Sequence, residues 1–203
     1  MKIVGIVGSM RKSGNTLRLM EEAIKPFAQK AEVDIIELNQ LDFSGCIGCE
    51  GCSKTYRCVL KDDLAPIYAL LDQADGFILA SPTYFYNITS KMKAFIERLY
   101  PYQIFDDENR HIWTSVFESK RIKYGITISI CEQEDEKDMG FTSKAMSMPL
   151  EGLGVRVVEN VKVLNLFGRE EADQDQVALK SCRDAGEKLL NTLLLLQRIR
   201  SIQ

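Results

Sequence analysis

The strongest constraint on the fold of this chain is the alternation of short apolar runs with amphipathic stretches. The run from residue 2 to 8 is β-branched and nearly continuous, which is typical of a strand buried on both faces of a sheet. From residue 13 to 30 the apolar spacing becomes helical. The same change of period recurs to the end of the chain, so the sequence predicts an α/β protein.

The pattern predicts five strands, at residues 2–8, 33–38, 76–81, 122–130 and 155–163. Helices are predicted at residues 13–30, 62–73, 89–100, 142–153 and 173–200. Because no linker or repeat interrupts this rhythm, we expect one domain over residues 1–203, with a mostly parallel sheet and helices on both faces. Ligands of such sheets bind outside the carboxyl ends of the strands.

Composition excludes several classes of partner. A formal net charge of −3 argues against a general nucleic-acid binder, which needs a basic face. No apolar stretch approaches the 18 or so residues of a membrane span, and the first apolar run is too short for a signal peptide. We therefore expect a cytoplasmic protein with no nucleic-acid or membrane partner.

The loop after the first strand, Gly8–Thr16, has the composition of an anion site. It carries two cations, several polar side chains and the start of a helix, whose free N–H groups favour an anion. It matches neither the Walker A loop nor the dinucleotide fingerprint. The loop suits a terminal phosphomonoester; the alternative is an ordinary turn in which Ser13 or Asn15 caps the helix.

The loop after the third predicted strand, Ser81–Asn87, combines a rigid proline with three aromatic residues. A planar ring attached to the phosphate would lie here, with its edge against backbone N–H groups. The alternative is an aromatic loop that closes the end of the sheet.

Four of the six cysteines fall within thirteen positions, Cys46, Cys49, Cys52 and Cys58, inside a glycine-containing loop at 44–61. Without an export signal, such clusters are more often metal ligands or redox thiols than structural disulfides. Zinc sites usually pair two distant C-x2-C turns, whereas three thiolates at successive threefold spacing surround one compact object, as in ferredoxin loops. Zinc, unmetallated thiols and a regulatory disulfide remain open.

Other features are less specific. Lys54 and Arg57 are expected to offset the charge of a tetrathiolate cluster, and Cys131 and Cys182 are expected to be structural. Residues 101–119 form a variable insertion, a lid or a subunit contact, in which a catalytic role for His111 is a minor alternative. The acidic segment 132–138 is interpreted as a solvated loop, and the alternative is a docking site for a basic protein.

Two motifs carry a family resemblance. The segments G-S-M-R-K-S-G-N-T and S-P-T-Y-F-Y-N…M-K-A-F-I-E-R-L resemble the NAD(P)H-dependent FMN reductase group of flavodoxin-like proteins, over roughly residues 1 to 100. With the cysteine loop, the similarity extends to the iron–sulfur flavoproteins of that group, which implies FMN and a [4Fe–4S] cluster held by the four cysteines. The resemblance implies that the FMN phosphate lies on Ser9, Arg11, Ser13, Gly14, Asn15 and Thr16, and the ring against Pro82, Thr83, Tyr84, Phe85, Tyr86 and Asn87.

The predicted fold is therefore flavodoxin-like, with strand order 2-1-3-4-5. The predicted function is an FMN-dependent oxidoreductase that passes electrons between FMN and the cluster, with the reaction taking place at N5 of the flavin. NAD(P)H or a ferredoxin-like protein is the expected partner, and the leucine-rich last helix suggests a homodimer or homotetramer. The alternatives are a cluster-free NAD(P)H-dependent FMN or quinone reductase and a non-enzymatic electron carrier of flavodoxin type.

Overall fold

A computed structural model describes residues 1–201 of the chain. Seven strands lie within these residues: β1 (Lys2–Val7), β2 (Glu32–Glu37), β3 (Gly76–Pro82), β4 (Gln103–Phe105), β5 (Trp113–Ser115), β6 (Lys123–Ile130) and β7 (Val155–Val163). The α-helices in the same range are α1 (Asn15–Ile24), α2 (Ile67–Gln73), α3 (Ser90–Glu97), α4 (Val116–Lys120), α5 (Thr142–Gly152) and α6 (Gln176–Arg200).

Five of the strands form one parallel sheet in the order β2-β1-β3-β6-β7. Because β6 and β7 are the fourth and fifth strands of this sheet, the predicted order 2-1-3-4-5 is confirmed. Five of the six residues of β1 are buried, all but the first, as expected of a strand with helices on both faces.

The two faces of the sheet carry separate hydrophobic cores. Helices α1 and α6 cover one face, where side chains such as Leu19, Cys182 and Leu189 pack against β1 and β6. Helices α2, α3 and α5 cover the other face, with Phe95 and Met146 among their buried residues. The leucines of α6 are therefore largely explained by packing within the chain, and the homo-oligomer stays a prediction. No helix within residues 1–201 is both long and apolar enough to span a membrane.

The segment 101–119 contains structure that the sequence pattern does not reveal. Strands β4 and β5 pair antiparallel into a hairpin outside the main sheet, and α4 follows immediately. Three-residue strands are too short to show a period, which is why this segment reads as a long connection.

The contact between α1 and α6 includes a buried carboxylate. Glu22 is fully buried and accepts hydrogen bonds from Arg18 at 2.9 Å, Lys25 at 2.6 Å and Arg183 Nε at 2.7 Å. Burial alone would raise the pKa of Glu22, but the hydrogen bonds from Lys25, Arg183 and Arg18 outweigh it and lower the pKa to about 2.

We expect Glu22→Gln to lower the free energy of unfolding near neutral pH by about 3 kcal/mol, since three cations lose their shared partner. The folded-state pKa of about 2 lies below the unfolded value of 4.5, so the stability that Glu22 contributes is complete above pH 4.5 and is lost as the pH falls towards 2. Denaturant titrations at several pH values should therefore show the two proteins converging on acidification. Glu21→Gln, at the exposed neighbouring position, is the matched control; a deficit of Glu22→Gln that is independent of pH would contradict the assignment.

Candidate functional site

The loops after β1 and β3 meet at one cavity of about 170 Å³, the β1 cavity, at the carboxyl end of the sheet. Its wall contains eight of the residues predicted to bind the cofactor: Ser9, Arg11, Gly14, Asn15, Thr16, Pro82, Thr83 and Tyr84. The position is the one expected for ligands of a doubly wound sheet, where the strand order reverses beside β1.

The start of α1 is available to an anion. Gly14 is the N-cap residue, and no side chain caps this helix, so the interpretation of the loop as a turn capped by Ser13 or Asn15 is wrong. The amide of Asn15 is used elsewhere: it donates to the carbonyl of Gly168 at 2.6 Å and accepts from the N–H of Ala172 at 3.1 Å. Asn15 thus connects the start of α1 to the loop that follows β7.

Arg11 supplies the cation of this wall. The buried Ser9 hydroxyl accepts a hydrogen bond from the backbone N–H of Arg11 at 3.1 Å, which fixes the local turn. The Arg11 guanidinium donates to the Phe167 carbonyl at 2.7 Å and lies 5.2 Å from the centre of the Phe167 ring. The adjacent Lys12 is exposed and is not part of the wall.

Four predicted cofactor-binding residues lie outside the wall of the β1 cavity: Ser13, Phe85, Tyr86 and Asn87. Phe85 is 96% exposed. Tyr84 and Asn87 exchange backbone hydrogen bonds of 2.7 and 3.2 Å, and the Thr83 N–H donates to the Ile130 carbonyl at 2.6 Å. Three of the N–H groups expected to meet a flavin edge are therefore paired within the protein.

Four further residues line this wall without having been predicted to bind the cofactor: Ile130 at the end of β6, Glu132 after it, and Leu166 and Phe167 after β7. The signal for them was the shared carboxyl edge of the predicted strands. Glu132 is the first residue of the acidic segment 132–138, which therefore reaches the cavity at one position.

The loop after β2 forms a second cavity of about 190 Å³, the cysteine cavity. The four clustered cysteines line it, and none of them forms a disulfide: Cys46, Cys49, Cys52 and Cys58. Ile47, Val59, Leu60, Tyr100 and Pro101 are also part of the wall. The lining therefore combines four soft ligands with a mainly apolar surface.

The four thiols influence one another. Burial raises the pKa of Cys52, and the neighbouring sulfurs of Cys58, Cys46 and Cys49 add to this effect. Within residues 1–201, however, no three His, Cys, Asp or Glu side chains lie close enough together to bind one metal ion. Four thiolates on zinc, with Zn–S bonds of about 2.3 Å, would have to lie within about 4 Å of one another. The arrangement does not match a zinc site.

The cation beside the cysteines is not one that the sequence suggested. Lys54 and Arg57 are exposed and lie outside the wall of the cysteine cavity. Arg98 lines the cavity instead, and its side chain is only 1% exposed. A charged residue at the end of a helix is normally predicted to be exposed to solvent, so the burial of Arg98 could not be predicted from the sequence.

The insertion 101–119 contacts the cysteine loop. Arg110, beyond β4, donates to the Glu50 carboxylate at 3.3 Å and to the Tyr100 hydroxyl at 2.7 Å. His111 is exposed and lies in the wall of neither cavity, so no contact supports a catalytic role for it.

A family model described as NADPH-dependent FMN reductase matches residues 1–114, more than half of the chain. The chain belongs to this family. The part that matches the FMN reductase family model includes the Gly8–Thr16 loop, the Ser81–Asn87 loop and all four clustered cysteines.

Relatives of this FMN reductase family member include two archaeal proteins named iron–sulfur flavoproteins. One from Archaeoglobus fulgidus is 39% identical over 103 residues, which are 50% of this chain and 47% of the relative. One from Methanocaldococcus jannaschii is 37% identical over 105 residues, 51% of this chain and 54% of the relative. The chain thus spans about half the length of the curated relatives it matches.

Solved structures agree on the fold over almost the whole chain. A flavone reductase superposes with a TM-score of 0.71 and 18% identity, covering 97% of this chain and 64% of that one. An archaeal flavodoxin superposes with a TM-score of 0.56 and 16% identity, covering 95% of this chain and 99% of that one. At these identities the likeness establishes the flavodoxin-like fold alone.

Proposed function

We propose that this chain is an FMN-dependent oxidoreductase that passes electrons between FMN in the β1 cavity and a [4Fe–4S] cluster in the cysteine cavity. The observation that carries the proposal is the placement of two chemically distinct cavities by loops at the same edge of one sheet. When bound, FMN exchanges electrons singly or in pairs and the cluster exchanges them one at a time, so the protein has to hold and shield the two groups.

The β1 cavity has the donors that a phosphomonoester requires. The uncapped first turn of α1 offers backbone N–H groups, Thr16 a hydroxyl and Arg11 a charge, which together suit the oxygens of a phosphate. Pro82 and Tyr84 offer flat apolar surface beside these donors, where a ring attached to the phosphate would be protected from water. The N–H groups of Phe85 and Tyr86 are proposed as the donors to the edge of the ring.

The cysteine cavity suits a cluster better than a single ion. In a [4Fe–4S] cluster each thiolate binds a different iron, so four ligands are needed around one wide object rather than around one point. The wall of the 190 Å³ cavity supplies this number of thiols. Cys46, Cys49, Cys52 and Cys58 are proposed as its ligands.

The decisive experiment is an analysis of anaerobically purified protein for FMN, iron and acid-labile sulfide. We expect FMN together with about four irons per chain. Visible and EPR spectra recorded before and after addition of NADH, NADPH or a reduced ferredoxin would then identify the donor. Full FMN occupancy with neither iron nor sulfide would overturn the cluster.

Two observations favour an alternative, a cluster-free NAD(P)H-dependent FMN or quinone reductase. Among the described residues no three of the cysteines lie close enough together to bind one metal ion, and Cys46 and Cys49 are exposed. Rapid bleaching of the flavin by NAD(P)H in iron-free protein would support this alternative.

We expect Arg11→Gln to weaken FMN binding about tenfold, since one charge-assisted contact to the phosphate is lost. Riboflavin, which has the same ring and no phosphate, should bind both proteins equally. Titrations that follow flavin fluorescence measure both affinities. Lys12→Gln is the matched control, because Lys12 is exposed and outside the wall. An equal loss of FMN affinity in the two variants, or a parallel loss of riboflavin affinity in Arg11→Gln, would contradict a phosphate contact of Arg11.

A further inference from the structure

Arg98 connects the two ends of the cysteine loop. Its Nη1 donates to the carbonyl of Ser44 at 3.0 Å and to the Asp62 carboxylate at 2.6 Å, and its Nη2 donates to the other Asp62 oxygen at 3.0 Å. Ser44 precedes the first clustered cysteine and Asp62 follows the last one. One guanidinium therefore holds both ends of the loop against the end of α3.

The Nε–H of this guanidinium has no partner within the described residues. Arg98 Nε is buried, makes no hydrogen bond, and belongs to a side chain that lines the cysteine cavity. A buried donor without an acceptor is unfavourable, and an acceptor bound in the cavity beside Arg98 would remove this penalty. Thiolate and sulfide sulfurs beside the four cysteines are acceptors of this kind.

The cation is also held rigidly. The Tyr68 hydroxyl donates to the Arg98 carbonyl at 2.6 Å, and the bidentate pair with Asp62 leaves the guanidinium no freedom to turn away. Lys54 and Arg57, in contrast, are exposed to solvent, where their charges are screened.

We propose that Arg98 is a positioning residue for the cluster, which closes the cysteine loop at both ends and raises the reduction potential of the cluster through its buried charge. The inference rests on the proposed function, because it concerns a cluster on Cys46, Cys49, Cys52 and Cys58. Reduction adds a negative charge to the cluster, and a fixed cation in the wall of its cavity favours that added charge.

Two substitutions with opposite charge effects test the proposal on the iron-loaded protein. Arg98→Gln removes the cation and leaves Asp62 negative, so the midpoint potential of the cluster should shift downwards. Asp62→Asn removes the anion and leaves the cation, so the potential should shift upwards. EPR-monitored redox titration measures both shifts. A purely structural role of the pair predicts no such opposition, and shifts in the same direction would overturn the proposal.

Two more variants separate charge from geometry. Arg98→Lys keeps the charge but loses the planar fork, so its potential should stay close to the wild-type value while a chelator removes iron about 10- to 100-fold faster. Arg57→Gln, a change of the same charge on the exposed part of the loop, should alter neither quantity. Should Arg98→Gln fail to fold, Asp62→Asn and Arg98→Lys decide alone.

The outcomes also distinguish this inference from the function on which it rests. Wild-type protein without iron would overturn the proposed function and the role of Arg98 with it. Loaded Asp62→Asn and Arg98→Gln proteins with the wild-type potential would overturn the role of Arg98 alone.

Discussion

Replacing Cys49 by alanine is expected to abolish the proposed iron–sulfur cluster and to leave FMN in place. Removing one thiolate leaves one iron without a protein ligand, and the compact loop offers no fifth cysteine to replace it. Iron and sulfide should fall from about four per chain to near zero after anaerobic purification. FMN should be retained, because the β1 cavity and the cysteine cavity share no residue.

The control for Cys49→Ala is Cys182→Ala. Cys182, in α6, is fully buried in the core between the sheet and helices α1 and α6, and it lines neither cavity. Its replacement removes a thiol without touching the cluster, so iron, sulfide and FMN should all remain. Retention of all iron in Cys49→Ala would remove that cysteine from the ligand set, and an equal loss in both variants would indicate a general effect on folding.

The fold was largely predictable because its strands are buried on both faces. Nearly continuous apolar runs such as residues 2–7 are typical of strands in a parallel sheet that helices cover on both faces. The predicted end of the first helix is wrong: the helix predicted to reach residue 30 ends as an α-helix at Ile24, and Pro26 lies in the short 3₁₀ turn that follows. A proline in the helix interior would remove a hydrogen bond and clash with the preceding turn.

The lining of the two cavities was predictable where it depends on local sequence and not where it depends on residues distant in the chain. The four cysteines and the start of α1 reach their cavities through short loops, so spacing alone locates them. Arg98 became buried only because Ser44 and Asp62 approach it from segments 54 and 36 residues away. The side-chain amide of Asn15 likewise forms hydrogen bonds with Gly168 and Ala172. No local sequence pattern indicates that the loop containing these two residues lies beside Asn15.

The contact between α1 and α6 depends on a glycine, and its replacement is expected to destabilise the protein as much as Glu22→Gln does. A Cβ atom added at Gly186 would lie 2.0 Å from the backbone oxygen of Ala23 and 2.9 Å from its carbonyl carbon. Backbone atoms cannot turn aside as a flexible side chain can, so the helices themselves would have to separate. Separation would loosen the packing of Leu19 and Leu189 and the hydrogen bond between Glu22 and Arg183.

We therefore expect Gly186→Ala to lower the free energy of unfolding by about 3 kcal/mol, although alanine is intrinsically the better helix former by about 1 kcal/mol. Gly152, at the end of α5, is the matched control, since a Cβ there would meet only the Trp113 side chain at an ordinary 3.4 Å. Gly152→Ala should be neutral or slightly stabilising for the same intrinsic reason. Denaturant unfolding of both variants measures the difference. If Gly186→Ala were as stable as Gly152→Ala, the inference that α1 and α6 approach closely at Ala23 would be wrong.

Because α1 also presents its uncapped first turn to the β1 cavity, a destabilised Gly186→Ala protein should bind FMN more weakly as well.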